Sequence, residues 1–547
     1  MDQSFYVGVD VGTGSARAGV FDRAGRLYGI AVQPFETWNP EPDFYEQSSR
    51  QIWDAVVAAV RAAIDVGDVD PAGVAGIGFD AACSLVVLDA DGAPVTVSRS
   101  GDDDRNVIVW MDHRATEQAA AITQGGDDVL HYVGGVMSPE MQTPKLLWLK
   151  QNMPQVWQRA GGFFDLADFL AWRATGVAAR SLCTTVCKWT YVASETAGAE
   201  PGWRAAYFEA IGLGDLADEG YARIGSAVSA VGDLHGPLSE EAADQLGLRA
   251  GIAVAVPVID AHAGGIGLLG TDVGDGETID LSKRLALICG TSTCHMAVSP
   301  EPRFVEGVWG PYYSALLPGM WLTEGGQTAT GALLDHVIGS HRRSEELAKQ
   351  AADRGVTVHD LLNERLEQLT VSLDFPAAAT RDLHVLPYFH GNRSPRADAS
   401  LRGMVSGMSL DDSVDALALL YLAAIQSLAY GTRHILESLN GAGYAVDTMI
   451  ATGGSAHNDV YLREHADATG CRIILPKEAE AVLLGASMLA ASAAGAYSSV
   501  AEAMEGMSGI RGVVPAAGGA IAEYHNKKYE VFRRMYDDFT AYGTLMS

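Results

Sequence analysis

An α/β chain of two related domains facing each other across a cleft is the fold class the sequence predicts. Three observations predict it. The chain has 547 residues and is 48% hydrophobic, more than one core ordinarily absorbs. Its amino end reads as strand, Gly-rich turn, strand. That pattern returns near the middle of the chain, with helical and strand-like runs alternating between and after the two copies.

The first element is the apolar run Phe5–Val11, followed by the turn Gly12-Thr13-Gly14 and a second strand at 15–21. A further turn, Asp22 to Arg26, leads to a third strand at 27–32, which makes a meander. This differs from a P-loop or dinucleotide-binding start, where the Gly-rich turn runs straight into a helix. Residues 51–64 have helical spacing, and 74–79 and 85–88 read as strands. The second hairpin is a strand at 285–289, then Gly290-Thr291-Ser292-Thr293, then a strand at 294–298. Aligning the two turns sets Asp10 against Ile288, so both hairpins suit phosphate but only the first supplies an acid. The acidic, Gly-rich stretch 270–280 is the expected linker, dividing the chain into domains 1–273 and 274–547. Beyond it come helical patterns at 330–338, 342–369 and 414–439. A βαβ unit closes the series: strand 449–452, a Gly453-Gly454 turn, helix 459–469 and strand 472–475.

A formal net charge of −30 repels phosphate backbones and acidic membrane surfaces, so neither nucleic acid nor membrane is an expected partner. A nucleotide stays possible, because local N–H groups and a divalent cation outweigh a diffuse, screened field. No basic n-region or long apolar h-region opens the chain, so the cytoplasm is the expected location. The longest uncharged apolar stretch, 481–497, is shorter than a bilayer span and reads as a buried helix. Cys83, Cys183, Cys187, Cys289, Cys294 and Cys471 have no CxxC spacing and no companion histidines, which points to reduced structural thiols. Cys183 and Cys187 alone make a poor zinc site. A homodimer is the expected assembly.

Three motifs carry the chemistry. In Asp10 to Arg17, glycines permit φ > 0 and close approach to an anion, the Thr13 hydroxyl and backbone N–H groups point at phosphate oxygens, and Asp10 suits Mg²⁺ through water. A plain hairpin turn is the alternative, which the second Gly-Thr turn counts against. In the second motif Asp260 ends an apolar run ahead of Ala261-His262-Ala263-Gly264-Gly265, which suits a base taking a proton from a substrate hydroxyl and suits a helix N-cap equally well. His262 reads as a satisfied polar residue. In the third, Gly453 and Gly454 leave no side chain to block a flat ring, though a tight βα turn explains them too. The segments Trp110 to Arg114 and Thr323 to Gln327 read by default as solvated turns, and Lys188, in the β-like run 185–191, as a snorkelling lysine.

Taken in order, VGVDVGTGSARAGVFD, GIGFDAACSLVVLD, VWMDHRA, KLLWLKQN, VIDAHAGGIGLLG, LICGTST, EGGQTATGALLDHV and IATGGSAHND resemble the FGGY family of carbohydrate kinases over nearly the whole chain. The resemblance implies two actin-like (ribonuclease H-like) ATPase domains with an interdomain catalytic cleft, and ATP with Mg²⁺ as cofactors. It makes Asp10 the metal-organising acid, Gly12, Thr13, Gly14 and Arg17 the first phosphate loop, and Gly290, Thr291 and Ser292 the second. Gly331, Gly453, Gly454 and Asn458 become adenosine contacts, and Asp260 the catalytic base. Ala82, Cys83, Asp112, Lys188, Asp260 and Glu324 become sugar contacts. DVGTGSARAGVFD and FDAACSLVVLD look most like the D-ribulokinase branch, which implies phosphorylation of a ketopentose, D-ribulose, at its C5 hydroxyl. L-ribulose, D-xylulose and other polyols are the alternatives within the family. A heat-shock-protein-like or actin-like ATPase is the alternative outside it. His390-Gly391-Asn392-Arg393-Ser394-Pro395 departs from the Gly-Glu-Arg of many relatives and fits the ribulokinase branch.

Overall fold

A computed structural model of the chain describes residues 4–193, 201–272 and 279–546. The expected boundary at 273/274, and residues 273–278 of the expected linker, lie outside them. In the first half, β1 (Phe5–Val11), β2 (Ser15–Asp22) and β3 (Leu27–Pro34) form the anticipated antiparallel meander. On the other side of β1 lies β4 (Val74–Ala81), parallel to it, and the sheet continues outward to β5 (Leu234–Pro237) and β6 (Ala253–Ala255) in the order β5-β6-β4-β1-β2-β3. The two-residue strand β7 (Val258–Ile259) also pairs with β4.

The second half repeats the layout. Its hairpin strands β8 (Arg284–Cys289) and β9 (Thr293–Ser299) are followed by β10 (Trp309–Tyr313) and β11 (Trp321–Gln327), with β11 antiparallel to β9 as β3 is to β2. On the other flank β12 (Thr448–Gly453) runs parallel to β8, and β13 (Arg472–Pro476) runs parallel to β12; β14 (Ile510–Val514) closes the edge antiparallel. A hairpin, a third antiparallel strand and two parallel strands therefore recur in the same order.

Helices cover these sheets for reasons visible in the chain. α1 (Ser49–Gly67) is capped by the Ser48 hydroxyl, which accepts from Gln51 N, and it buries Ile52, Val56, Ala59, Val60 and Ala63 on one face. The charged stretch 342–369 is not one helix: Ser344–Arg354 and Val358–Thr370 are separated at Gly355, whose φ of 65° only glycine adopts freely. Val414–Gly441 is long and apolar enough to cross a membrane, yet 72% of its most apolar window is buried inside the protein.

Two helices hold the halves together. α2 (Leu182–Lys188) belongs to the wall of the first half, whereas α3 (Asp260–Leu269) and α4 (Ala481–Ala493) cross at the interface between the sheets. A Cβ on Gly485 would lie 1.9 Å from the Ala263 carbonyl oxygen, and one on Gly267 would lie 2.0 Å from that of Ala481. The same α4, contributed by the second half of the sequence, lies on the first half's sheet, where a Cβ on Gly8 would meet the Leu483 carbonyl at 2.0 Å. Backbone meets backbone with no side chain between. Gly485→Ala is expected to cost about 1–3 kcal/mol by overpacking. Gly441→Ala, at a position with no atom within 4 Å of the added carbon, should be nearly neutral. Denaturant midpoints of the two variants against the parent check this.

Candidate active site

Three carboxylates close the floor of the cleft. Asp10 and Asp80 are register partners on the parallel strands β1 and β4, so their side chains leave the sheet on one face. Asp260 is the first residue of α3, immediately after β7, whose Val258 is the partner of Asp80 on the other side. Asp10, 3% exposed, accepts from Arg17 Nε at 2.8 Å, and Arg17 reaches on to Glu480 at 3.1 Å. Asp80 is wholly buried with no N–H or hydroxyl donor on either oxygen, and burial, with Asp10 and Asp260 beside it, pushes its carboxyl well above the usual range. Burial, followed by the charge of Asp10, raises Asp260 to about 6, against a 2.6 Å bond from Ala261 N that favours the carboxylate. Three clustered acids with Arg17 as the near cation disfavour one another's ionisation and leave oxygens unpaired, an arrangement that a hard divalent cation would relieve.

Asp80 is absent from the sites the sequence suggested. Its signal is present there, since GIGFD ends a buried apolar strand on an acid just as VGVD does.

The two hairpins stand above this floor. Gly12 N donates to Ser15 O at 3.1 Å and Gly290 N to Ser292 O at 2.9 Å, so each turn is closed from its first glycine, the second being one residue tighter. Thr13 is clamped: its carbonyl accepts from Gln47 Nε2 at 2.6 Å and from the Thr37 hydroxyl at 3.1 Å, and its hydroxyl accepts from Trp110 Nε1 at 3.0 Å. Glycine is not needed here for positive φ, as the motif suggested; Gly12, Gly14 and Gly290 have none, and what they supply is open space, with no atom within 3.4 Å of an added Cβ. Gly331, which begins the helix Gly331–Gly339, donates to Gly290 O at 3.1 Å, and a Cβ there would strike that oxygen at 2.7 Å. Gly453 does have positive φ, 90°, while Gly454 leaves open space beside it. Asn458 caps helix Asp459–Thr469 through Val460 N and Tyr461 N and donates to the Tyr421 hydroxyl at 2.6 Å. It holds the turn in shape.

On the other side lie the expected sugar contacts. Lys188 does not snorkel from a strand: it ends α2, is 3% exposed, and sets Nζ 4.3 Å from the Trp309 ring centre. Burial presses its ammonium toward neutrality, and Cys83 and Glu324 more than offset this. Glu324, 6% exposed on β11, pairs in register with Trp309, and its Oε2 has no hydrogen-bond partner in the protein. Ala82 N donates to Val11 O at 2.9 Å, and the neighbouring Cys83 thiol is pushed up to about 12 by burial. Asp112 is no solvated turn either, but its oxygens are engaged by Arg114 Nη2 at 2.8 Å and Tyr45 N at 2.6 Å. Arg114 also reaches Glu46 at 3.2 Å and lies over Phe44. Asp112 braces the pocket wall and has no lone pair left for a sugar.

The cysteines do have a companion histidine, in space. Cys187 Sγ lies 3.5 Å from His262 Nε2, and with Cys183 the three groups lie within 4.8 Å of one another, all buried. Burial raises the Cys187 thiol and lowers His262 to about 4, which favours the neutral thiol and the neutral imidazole of this pair.

Models of the FGGY family of carbohydrate kinases match most of the chain, the N-terminal domain at residues 5–267 and the C-terminal domain at 285–494. The chain is 47% identical to an FGGY carbohydrate kinase domain-containing protein of Homo sapiens, covering 100% of this chain and 98% of that one. It is 39% identical to a D-ribulokinase of Saccharomyces cerevisiae, covering 90% and 72%. A ligand-bound xylulose kinase of Lactobacillus acidophilus matches with a TM-score of 0.80 at 18% identity and full coverage of both chains, which bears on the fold and agrees with the two actin-like domains anticipated.

Removing the cation from the buried wall has a calculable effect. Arg114→Met strands Asp112 and Glu46 in the interior and should destabilise the protein by about 3–5 kcal/mol. Equilibrium or kinetic unfolding in urea measures it.

Proposed function

The chain belongs to the FGGY family of carbohydrate kinases and is an ATP-dependent sugar phosphotransferase, and we propose that its acceptor is a ketopentose, D-ribulose, phosphorylated at the C5 hydroxyl. One observation carries this reading. Lys188 and Glu324, from opposite halves and both buried, each neighbour Trp309 and act electrostatically on Asp260, so a donor, an acceptor and an acid lie near one another. The likeness to the yeast D-ribulokinase supports the choice of sugar.

In this reading Lys188 donates to the sugar and Glu324 accepts from it, while Ala82 and Cys83 shape the wall. Asp260 takes the proton of the attacking hydroxyl, which requires its carboxylate form. Gly12, Thr13 and Gly14, with Arg17 behind them, and Gly290, Thr291 and Ser292 hold the phosphate oxygens from two sides. Gly331, Gly453, Gly454 and Asn458 shape the adenosine site. Asp10, with Asp80 beneath it and Asp260 across from it, would hold Mg²⁺, which when bound offsets the charge of the phosphates. Closure of the cleft keeps water from competing with the sugar.

Asp260→Asn should cut turnover by several orders of magnitude with ATP binding largely retained; near-parental turnover removes Asp260 as base. Because burial raises this carboxyl, its base form predominates only above about pH 6. The sugar kcat/KM should therefore fall tenfold per pH unit below about 6 and level off above it, and the Asn variant should lack that limb. ADP release with D-ribulose, L-ribulose, D-xylulose, ribitol and glycerol at matched concentration tests the acceptor. D-ribulose should lead, and preference for glycerol overturns the assignment.

A further inference from the structure

The segment His390 to Pro395 has no part in the chemistry above, yet it reaches the acceptor pocket. It lies in an arm between the short strands His384–Leu386 and Met404–Ser406. Ser394 N donates to Gly326 O at 3.1 Å, which pins the arm on β11 two residues from Glu324. The Arg393 side chain then runs across Gly326, where a Cβ would strike its Cδ at 2.6 Å, so the second glycine of Glu324-Gly325-Gly326 clears its path. The guanidinium arrives 4.5 Å from the centre of the Trp309 ring, the same indole that Lys188 of the first half approaches.

Arg393 Nη2 meets Glu140 Oε2 of the first half at 3.3 Å. Burial opposes the charge on Glu140, but His113, 3.8 Å away, and Arg393 hold its carboxyl down at about 2. Glu140 is fixed from behind. The fully buried Lys145 donates to its carbonyl at 3.3 Å and to those of Val109 at 3.1 Å and Trp110 at 3.2 Å. Trp110 is the residue that bonds the Thr13 hydroxyl. A continuous path therefore runs from the first phosphate hairpin through Trp110 and Lys145 to Glu140, across the cleft to Arg393, and on to Trp309 beside Glu324.

We propose that Glu140 and Arg393 are positioning residues that latch the two halves over the acceptor sugar, so that the pocket formed by Lys188, Trp309 and Glu324 is complete only when this bridge is made. The proposal rests on the acceptor-pocket reading above. The bridge forms as the halves meet, so sugar binding and bridge formation favour each other, whereas the proposed adenosine contacts all come from the second half and do not span the bridge, so its coupling to ATP is weaker than its coupling to sugar. Loss of the bridge leaves the cleft open to water, which then competes as phosphoryl acceptor.

The test uses the full chain and whichever sugar gives the highest turnover in the panel, so that an error over D-ribulose does not count against the latch. Glu140→Gln preserves shape and removes the charge. Its KM for sugar should rise roughly 5- to 150-fold, its KM for ATP should rise by a smaller factor, and its ratio of sugar-independent ATP hydrolysis to sugar phosphorylation should increase. Arg393→Met should do the same, and the double variant should be no worse than either single one. Small-angle scattering gives a second readout: the contraction expected of the parent on adding sugar with a non-hydrolysable ATP analogue should be lost in Glu140→Gln. An unchanged sugar KM in a folded Glu140→Gln protein, additive effects in the double variant, or undiminished contraction overturns the proposal. Failure of every sugar in the panel instead overturns the functional reading.

Discussion

The crossing of α3 and α4 sets the geometry of everything in the cleft. With Gly267 and Gly485 at the crossing, the two helices touch through their backbones, and no side chain is available to take up slack. Each helix also begins at the site. α3 starts at Asp260, and α4 starts just after Glu480, which reaches across to Arg17 and through it to Asp10. A rotation of one half on the other at this crossing therefore moves Asp260 and Asp10 as connected bodies.

The chain carries a large net negative charge, yet places its cations where they matter. Arg17, Lys188, Arg114 and Arg393 each sit against buried or half-buried acids in the first hairpin, the pocket wall or the interface between halves. Such pairs contribute little net stability once desolvation is counted, but they fix which groups face one another. Asp80 differs, a buried acid with no cation against it, whose near neighbours are the acids Asp10 and Asp260.

How much of this was legible in the sequence depends on how local each signal is. The hairpins, the duplicated order of elements and the βαβ unit could be read because strand, Gly-Thr turn and strand are contiguous. Asp10 and Asp260 were legible because an acid ending an apolar run stands out. Lys188 was misread as strand-borne because Thr185 to Tyr191 is rich in β-branched and aromatic residues; the overlooked signal is Ser181, whose hydroxyl accepts from Cys183 N and starts a short helix. Asp112 looked free because the Tyr45 N–H that it accepts from, and the Glu46 that helps hold Arg114 against it, arrive only when distant segments meet. The Glu140–Arg393 bridge and the Cys183, Cys187 and His262 cluster join residues far apart in the chain, and no local pattern announces them.

The position of α4 also bears on how the protein is made. The helix that lies on the first half's sheet is residues 481–493, so that sheet lacks a covering layer until nearly all of the polypeptide has emerged from the ribosome. The amino-terminal half is thus denied the usual advantage of finishing early in synthesis. The face opposite α1 gains its cover only from a segment encoded near the far end.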